Sequence, residues 1–301
     1  MRAAFLFLPT FSICAGCVPD FGDSPSLVTS PRVLAVLAEP PEAGVGESVA
    51  LRVLVASPAG PIADAAPAWA FCFAPKPLAD NNVVGPACLD DQSIKPIGAA
   101  VMAVMPFDAC SRFGPDVPPQ PAGQPPLRPH DPDVTGGYYQ PVRADLAGLP
   151  PTFSRLRVTC NLAGATAAVA AEFRTRYRPN HNPRIARIAA FDGANELPLD
   201  RLPAGGRVRL VATFAPDAAE FYPVLDVPKG ILTDRRESLR ASFFITGGHL
   251  DKERPGEFIE GATGAEAGWT LPAGPTVLPF WVVVRDERGG VDVMGGEARA
   301  Q

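Results

Sequence analysis

No property of this chain limits its fold as tightly as its prolines: 36 of them, together with 28 glycines, are spread over 301 residues. Proline lacks a backbone donor and is confined to turns, strand starts and sheet edges, so this density excludes long helices and favours short strands joined by turns. Between the prolines, apolar residues alternate. Val49, Leu51, Val53 and Val55 follow Gly46 with period two, and Val208, Leu210, Ala212 and Phe214 follow Gly205 in the same way. Such alternation marks strands with one buried face. Further β-prone runs lie at residues 32–38, 69–73, 138–143, 153–160, 185–191, 239–246, 277–284 and 290–294, and between 75 and 137 the pattern loosens, with one short apolar run at 97–105. Residues 172–178 alternate Phe173, Thr175 and Tyr177 against Arg174, Arg176 and Arg178, which predicts a closing strand whose wet face carries a basic stripe. The expected architecture is all-β: two tandem antiparallel β-sandwich domains.

Two prolines and two asparagines within residues 178–183 favour turn or extended backbone, and they set the boundary. The first domain is expected over 31–178, interrupted by a proline-rich insertion at 115–132, and the second over 183–301. Loops longer than roughly 12–15 residues seldom lack a role, so the insertion is either a contact surface or a strapped insertion, and it and the charged stretch 250–263, which reads first as a solvated loop, are the first places to examine for partner contacts. Hydrophobic residues form 47% of the chain and charged residues 20%, which suits packed cores rather than disorder.

The N-terminus carries an address. Arg2 precedes an apolar run over residues 3–13, followed by Cys14, Ala15, Gly16 and Cys17. Charge, apolar core and small residues in that order make a secretory signal, and the run is too short for a bilayer, which needs roughly 20 residues. The segment Cys14-Ala15-Gly16-Cys17 resembles the lipobox of bacterial lipoproteins, with Cys14 in the position usually held by an aliphatic residue. The resemblance implies removal of residues 1–16, lipidation of Cys17 and a tether over 17–30 that joins the membrane to the folded body. Val18, rather than aspartate, follows the cysteine, which by the enteric sorting rule implies the outer membrane. Loss of Arg2 with the signal leaves 26 basic against 32 acidic side chains, no footprint for nucleic acid.

Four cysteines remain: Cys72, Cys88, Cys110 and Cys160. An even number in an exported protein predicts two disulfides, with three pairings open. We favour Cys72–Cys88, which flanks a short proline-bearing excursion, and Cys110–Cys160, which encloses the longest irregular stretch. None of the four lies in a Cys-x-x-Cys pair, so zinc is not expected.

Residues 205–214 and 281–290 resemble strand B and the final hairpin of bacterial immunoglobulin-like or fibronectin-like modules. The whole chain is similar to envelope lipoproteins of gliding Gram-negative bacteria of the myxobacterial type, a resemblance that supplies no activity. His130, His181 and His249 sit among proline, asparagine or glycine, without an i+4 partner or a serine elbow. His130 with Asp131 and Asp133 offers only two carboxylates, which seldom suffice for a cation, and the group Asp251, Glu253, Glu257 and Glu260 could line a cation site or a partner surface but reads first as a solvated loop. The expectation is therefore a non-enzymatic, lipid-anchored envelope protein without cofactor or metal, serving binding, adhesion or scaffolding toward a protein or glycan. The alternative is an accessory subunit of an envelope secretion or motility machine. Arg174, Arg176 and Arg178 are the candidate partner surface.

Overall fold

The computed structural model describes residues 24–74, 84–99, 101–112, 114–115, 123, 134–252 and 256–301. Cys17, His130, Asp131, Asp133, Glu253 and almost all of the 115–132 insertion lie outside the described residues.

The first half contains β1 (Arg32–Glu39), β2 (Glu42–Gly44), β3 (Ser48–Ser57), β4 (Gly60–Pro61), β5 (Ala68–Cys72), β6 (Ile94–Gly98), β7 (Met102–Val104), α1 (Ala109–Arg112), β8 (Gly137–Asp145), β9 (Thr152–Thr159) and α2 (Ala167–Arg176). One sheet runs β1-β3-β4 with β7 also on β3, and the other runs β2-β9-β8-β5-β6. Val36, Leu51, Trp69, Phe71, Val142 and Leu156 fill the space between them. The alternation after Gly46 is the reason: it turns Val49 and Leu51 inward and leaves Arg52 in water. All these contacts are antiparallel except β2 on β9, which pair in parallel.

The second half contains β10 (Ile185–Asp192), β11 (Asn195–Leu197), β12 (Arg207–Phe214), β13 (Phe221–Asp226), β14 (Ile231–Arg236), β15 (Ser238–Ile245), β16 (His249–Leu250), β17 (Ile259–Glu260), β18 (Gly264–Thr270), β19 (Thr276–Asp286) and β20 (Val291–Ala300). Its sheets, β11-β10-β12-β18-β16 and β17-β15-β19-β20, enclose Leu210, Phe243, Trp269, Phe280 and Val282. Each such side chain, fully buried, contributes about 1.5–3 kcal/mol. The hairpin β13–β14 stands apart from both sheets.

The two sandwiches share a further apolar layer. Leu34, Ala35 and Ala56 of β1 and β3 pack on Trp281, Val283 and Val291 of β19 and β20. A register slip between Val33 and Ala35 lets Leu34 and Ala35 both serve this contact, while Val36 and Ala38 point into the first core. Trp281 lies flat against β20 because Gly295 faces it; a Cβ there would stand 2.5 Å from Trp281 Cδ1.

Two sequence expectations are corrected. Residues 172–176 form the end of helix α2 rather than a strand, and Tyr177 caps it. Thr166 caps the helix by accepting the Val169 amide at 3.3 Å, and the alanine-rich start at 167–171 is strongly helix-forming. Phe173 and Tyr177 are four residues apart, a spacing common to both periods, so their burial satisfied an alternating pattern that the exposed Thr175 does not. Part of the segment expected as a tether, 17–30, is built into the fold instead. Residues 26–28 join the second sandwich, where the Val28 amide donates to Ile245 O at 2.8 Å and the Ile245 amide to Ser26 O at 2.9 Å, and Val28 is wholly buried.

Candidate functional site between the two sandwiches

The connector at 178–183 is bonded to both halves. Asn180, buried, donates its amide to Glu42 Oε2 at 2.8 Å and its side-chain Nδ2 to Asp286 Oδ2 at 3.1 Å. Asn182 Nδ2 donates to Ala38 O at 2.7 Å, and its Oδ1 accepts the Val291 amide at 2.8 Å. The asparagines that mark a turn in the sequence are thus ties between β1–β2 and β19–β20. Gly290 is required beside them, since a Cβ there would meet Asp286 Oδ2 at 2.1 Å.

Around this connector lies a buried ionic cluster. Glu42 accepts Tyr177 OH at 2.7 Å and Thr159 Oγ1 at 2.9 Å, and it pairs with Arg157 Nε at 3.2 Å. Arg288 pairs with Glu237 Oε1 at 2.6 Å and Glu220 Oε2 at 3.0 Å, and donates to Arg178 O at 3.2 Å. Glu42, Arg157, Glu237, Asp286 and Arg288 are each 3% exposed or less. Burial pushes the Tyr177 phenol up. Burial, then the charge of Asp286, raises the Glu237 carboxyl to about 7 despite Arg288, and burial raises Asp286 as well.

A raised carboxyl binds its proton in the folded state over a range where the unfolded chain has already lost it. Stability from Glu237 is therefore fully present below its ordinary pKa of 4.5 and is lost as pH rises to about 7. The loss is on the order of 3 kcal/mol. Urea midpoints measured across that window are expected to fall with rising pH; midpoints that rise instead would reject a shared proton at this joint.

Beside the cluster the sandwiches part to leave a cleft of about 1040 Å³. Its walls are Val53, Leu54, Pro61 and Pro67 on one side and Trp281 and Val293 on the other, with Arg52, Asp292 and Glu297 at the edges. Short side chains on the 60–67 segment keep it open. Apolar side chains with a few charged groups at the wall suit a ligand or a chain segment.

The disulfides join Cys72 to Cys88 and Cys110 to Cys160, with Cα–Cα separations of 5.6 and 5.7 Å. Covalent bridges of this kind accord with an extracytoplasmic protein. The basic stripe does not assemble: Arg176 pairs with Glu172 at 2.5 Å and Asp234 at 2.8 Å, Arg178 donates to Tyr177 O at 2.9 Å, and Arg174, in the last turn of the helix, has no ion pair among the described residues. His181 Nδ1 contacts Glu220 Oε1 at 2.9 Å, at the exposed edge of the joint. Asp251 accepts the Gly268 amide at 2.8 Å and pairs with Arg207 at 3.0 Å, while Glu257 and Glu260 are exposed. Among the described residues, no group of three or more histidine, cysteine, aspartate or glutamate side chains is placed to hold a metal ion.

Sequence reasoning missed the joint. Its one local signal was an arginine inside a strand-like run, Arg157 in β9, where it is buried.

These features define an all-β, disulfide-bonded protein of packed antiparallel sandwiches. No family model and no curated protein matches the chain. Among solved structures it is similar to the Yersinia pseudotuberculosis adhesin InvE, with a TM-score of 0.24 and 8% identity, over 90% of this chain and 58% of that one. At that score the likeness carries no argument about function.

Proposed function

We propose that the protein is a lipid-anchored, non-enzymatic binding module of the bacterial envelope, which presents the cleft between its sandwiches to a protein or glycan partner. The cleft carries this reading: about 1040 Å³ of space with a mixed apolar and polar lining, opening to solvent and bordered by the exposed Val101. The ionic joint supports it, because a connector bonded to both halves holds the two walls at a fixed separation and lowers the ordering cost of binding. Ala63 and Ala66 line the cleft and are exposed, so Ala63→Asp with Ala66→Asp is expected to leave the melting temperature unchanged and to weaken capture of surface protein or glycan roughly tenfold or more. Unchanged capture would remove the cleft from the proposal.

The anchor is tested separately. Cys17→Ser is expected to move the protein from the membrane to the soluble or uncleaved fraction, and acylated, membrane-bound Cys17→Ser protein would refute lipidation.

A further inference from the structure

Five exposed arginines each have a carboxylate beside them: Arg184 with Asp217, Arg187 with Glu196, Arg207 with Asp251, Arg209 with Glu266 and Arg235 with Glu287. Three arginines at the seam between the sandwiches depart from this habit. Arg240 of β15 and Arg285 of β19 stand directly opposite each other across the strands. Like charges in that position repel. Arg285 donates to the carbonyl of Leu34 at 3.0 Å. Arg240 stacks on the Phe258 ring, its Cζ 4.5 Å from the centroid, and its Nε is buried without a partner. Arg155 of β9 belongs to the first sandwich, where it stacks at 5.2 Å on Tyr139, and its charge is felt at Arg240. No ion pair joins any of the three to an acid among the described residues.

The electrostatics agree with this placement. Burial, then Arg240, lowers the Arg285 guanidinium to about 10, and burial, then Arg155, lowers Arg240. One residue further along the same face of β15, the hydroxyl of Ser242 is also without a partner, and the residue is only 4% exposed. A hydroxyl and three guanidiniums coming from three strands supply many donors and no acceptor charge.

We propose that Arg155, Arg240 and Arg285, with Ser242 behind them, form a binding site for a phosphate-class oxyanion at the seam of the two sandwiches. One carboxylate would leave two of the cations uncompensated, whereas a doubly charged tetrahedral anion accepts hydrogen bonds from several directions at once. The group is either free phosphate or the phosphoryl of a lipid headgroup. The site is separate from the cleft and does not depend on a partner there.

The test is calorimetric titration of the full chain with inorganic phosphate and with glycerophosphoglycerol, a headgroup without acyl tails, each at constant ionic strength against chloride. Saturable binding of either is expected, weakened roughly tenfold or more by Arg240→Gln and by Arg155→Gln. Arg155 is exposed, so its variant keeps the fold even if Arg240→Gln disturbs the seam. Tighter binding of phosphate assigns the free anion, and tighter binding of glycerophosphoglycerol assigns the headgroup. No saturable binding of either probe, or affinities that Arg155→Gln leaves unchanged, would overturn the proposal.

Discussion

Arg288→Ala is expected to lower the folding free energy by about 3–5 kcal/mol, the loss seen when one partner of a buried ion pair is removed and the other stays. Arg288 is 2% exposed and reaches Glu237, Glu220, the Tyr177 hydroxyl and the Arg178 carbonyl from one guanidinium. Its removal strands carboxylates in a site where burial already drives one of them to hold a proton at about neutral pH. The loss is therefore expected to shrink as pH is lowered through that range, because a protonated Glu237 no longer needs the cation. Denaturant unfolding of the wild type and variant at pH 5 and pH 8 reads both effects. A pH-independent change below about 1 kcal/mol, the scale of an exposed pair, would show that the joint does not behave as a buried ionic cluster. Replacing Arg288 and Glu237 together by methionine and leucine is expected to recover part of the loss, since apolar groups of similar volume leave no charge to desolvate.

The second large effect is expected from the longer disulfide. Cys110 in α1 and Cys160 after β9 are 50 residues apart, against 16 for Cys72 and Cys88. In the chain-entropy picture these closures stabilise by roughly 4 and 3 kcal/mol respectively. The double variant Cys110→Ala, Cys160→Ala is expected to cost more stability than Cys72→Ala, Cys88→Ala, as measured by urea unfolding of each. The opposite order would mean that native contacts around Cys72 and Cys88, both wholly buried, outweigh the difference in loop length.

The strands were legible because alternation is a local property. The run after Gly205 shows in its own residues which face is buried, and β12 follows it residue by residue as Val208, Leu210, Ala212 and Phe214. The same rule failed at Phe173 and Tyr177, where one spacing serves a helix and a strand. The Thr166 cap and the alanines after it were the deciding local signal. The hairpin β13–β14 was not read at all. Its residues make a third small core with α2, in which Phe173 and Tyr177 meet Tyr222, Leu225 and Leu232, a contact between distant parts of the chain.

The candidate sites were less legible than the strands. Proline, asparagine and histidine at 178–183 marked a boundary, but composition alone does not reveal that Asn180 reaches Glu42 on one side and Asp286 on the other. Those bonds join residues more than a hundred positions apart. The cleft and the arginine seam have the same origin, since each takes one wall from each sandwich.

By itself, the sequence determined what depends on neighbours along the chain: the exclusion of long helices by proline, the period-two strands, the turns, and an even set of cysteines after the N-terminal segment. Only the tertiary structure decided which charges were buried together, which arginines lacked an acid and where the sandwiches parted. Strand propensity acts over a few residues, whereas desolvation and charge pairing depend on which distant side chains share a space closed to water.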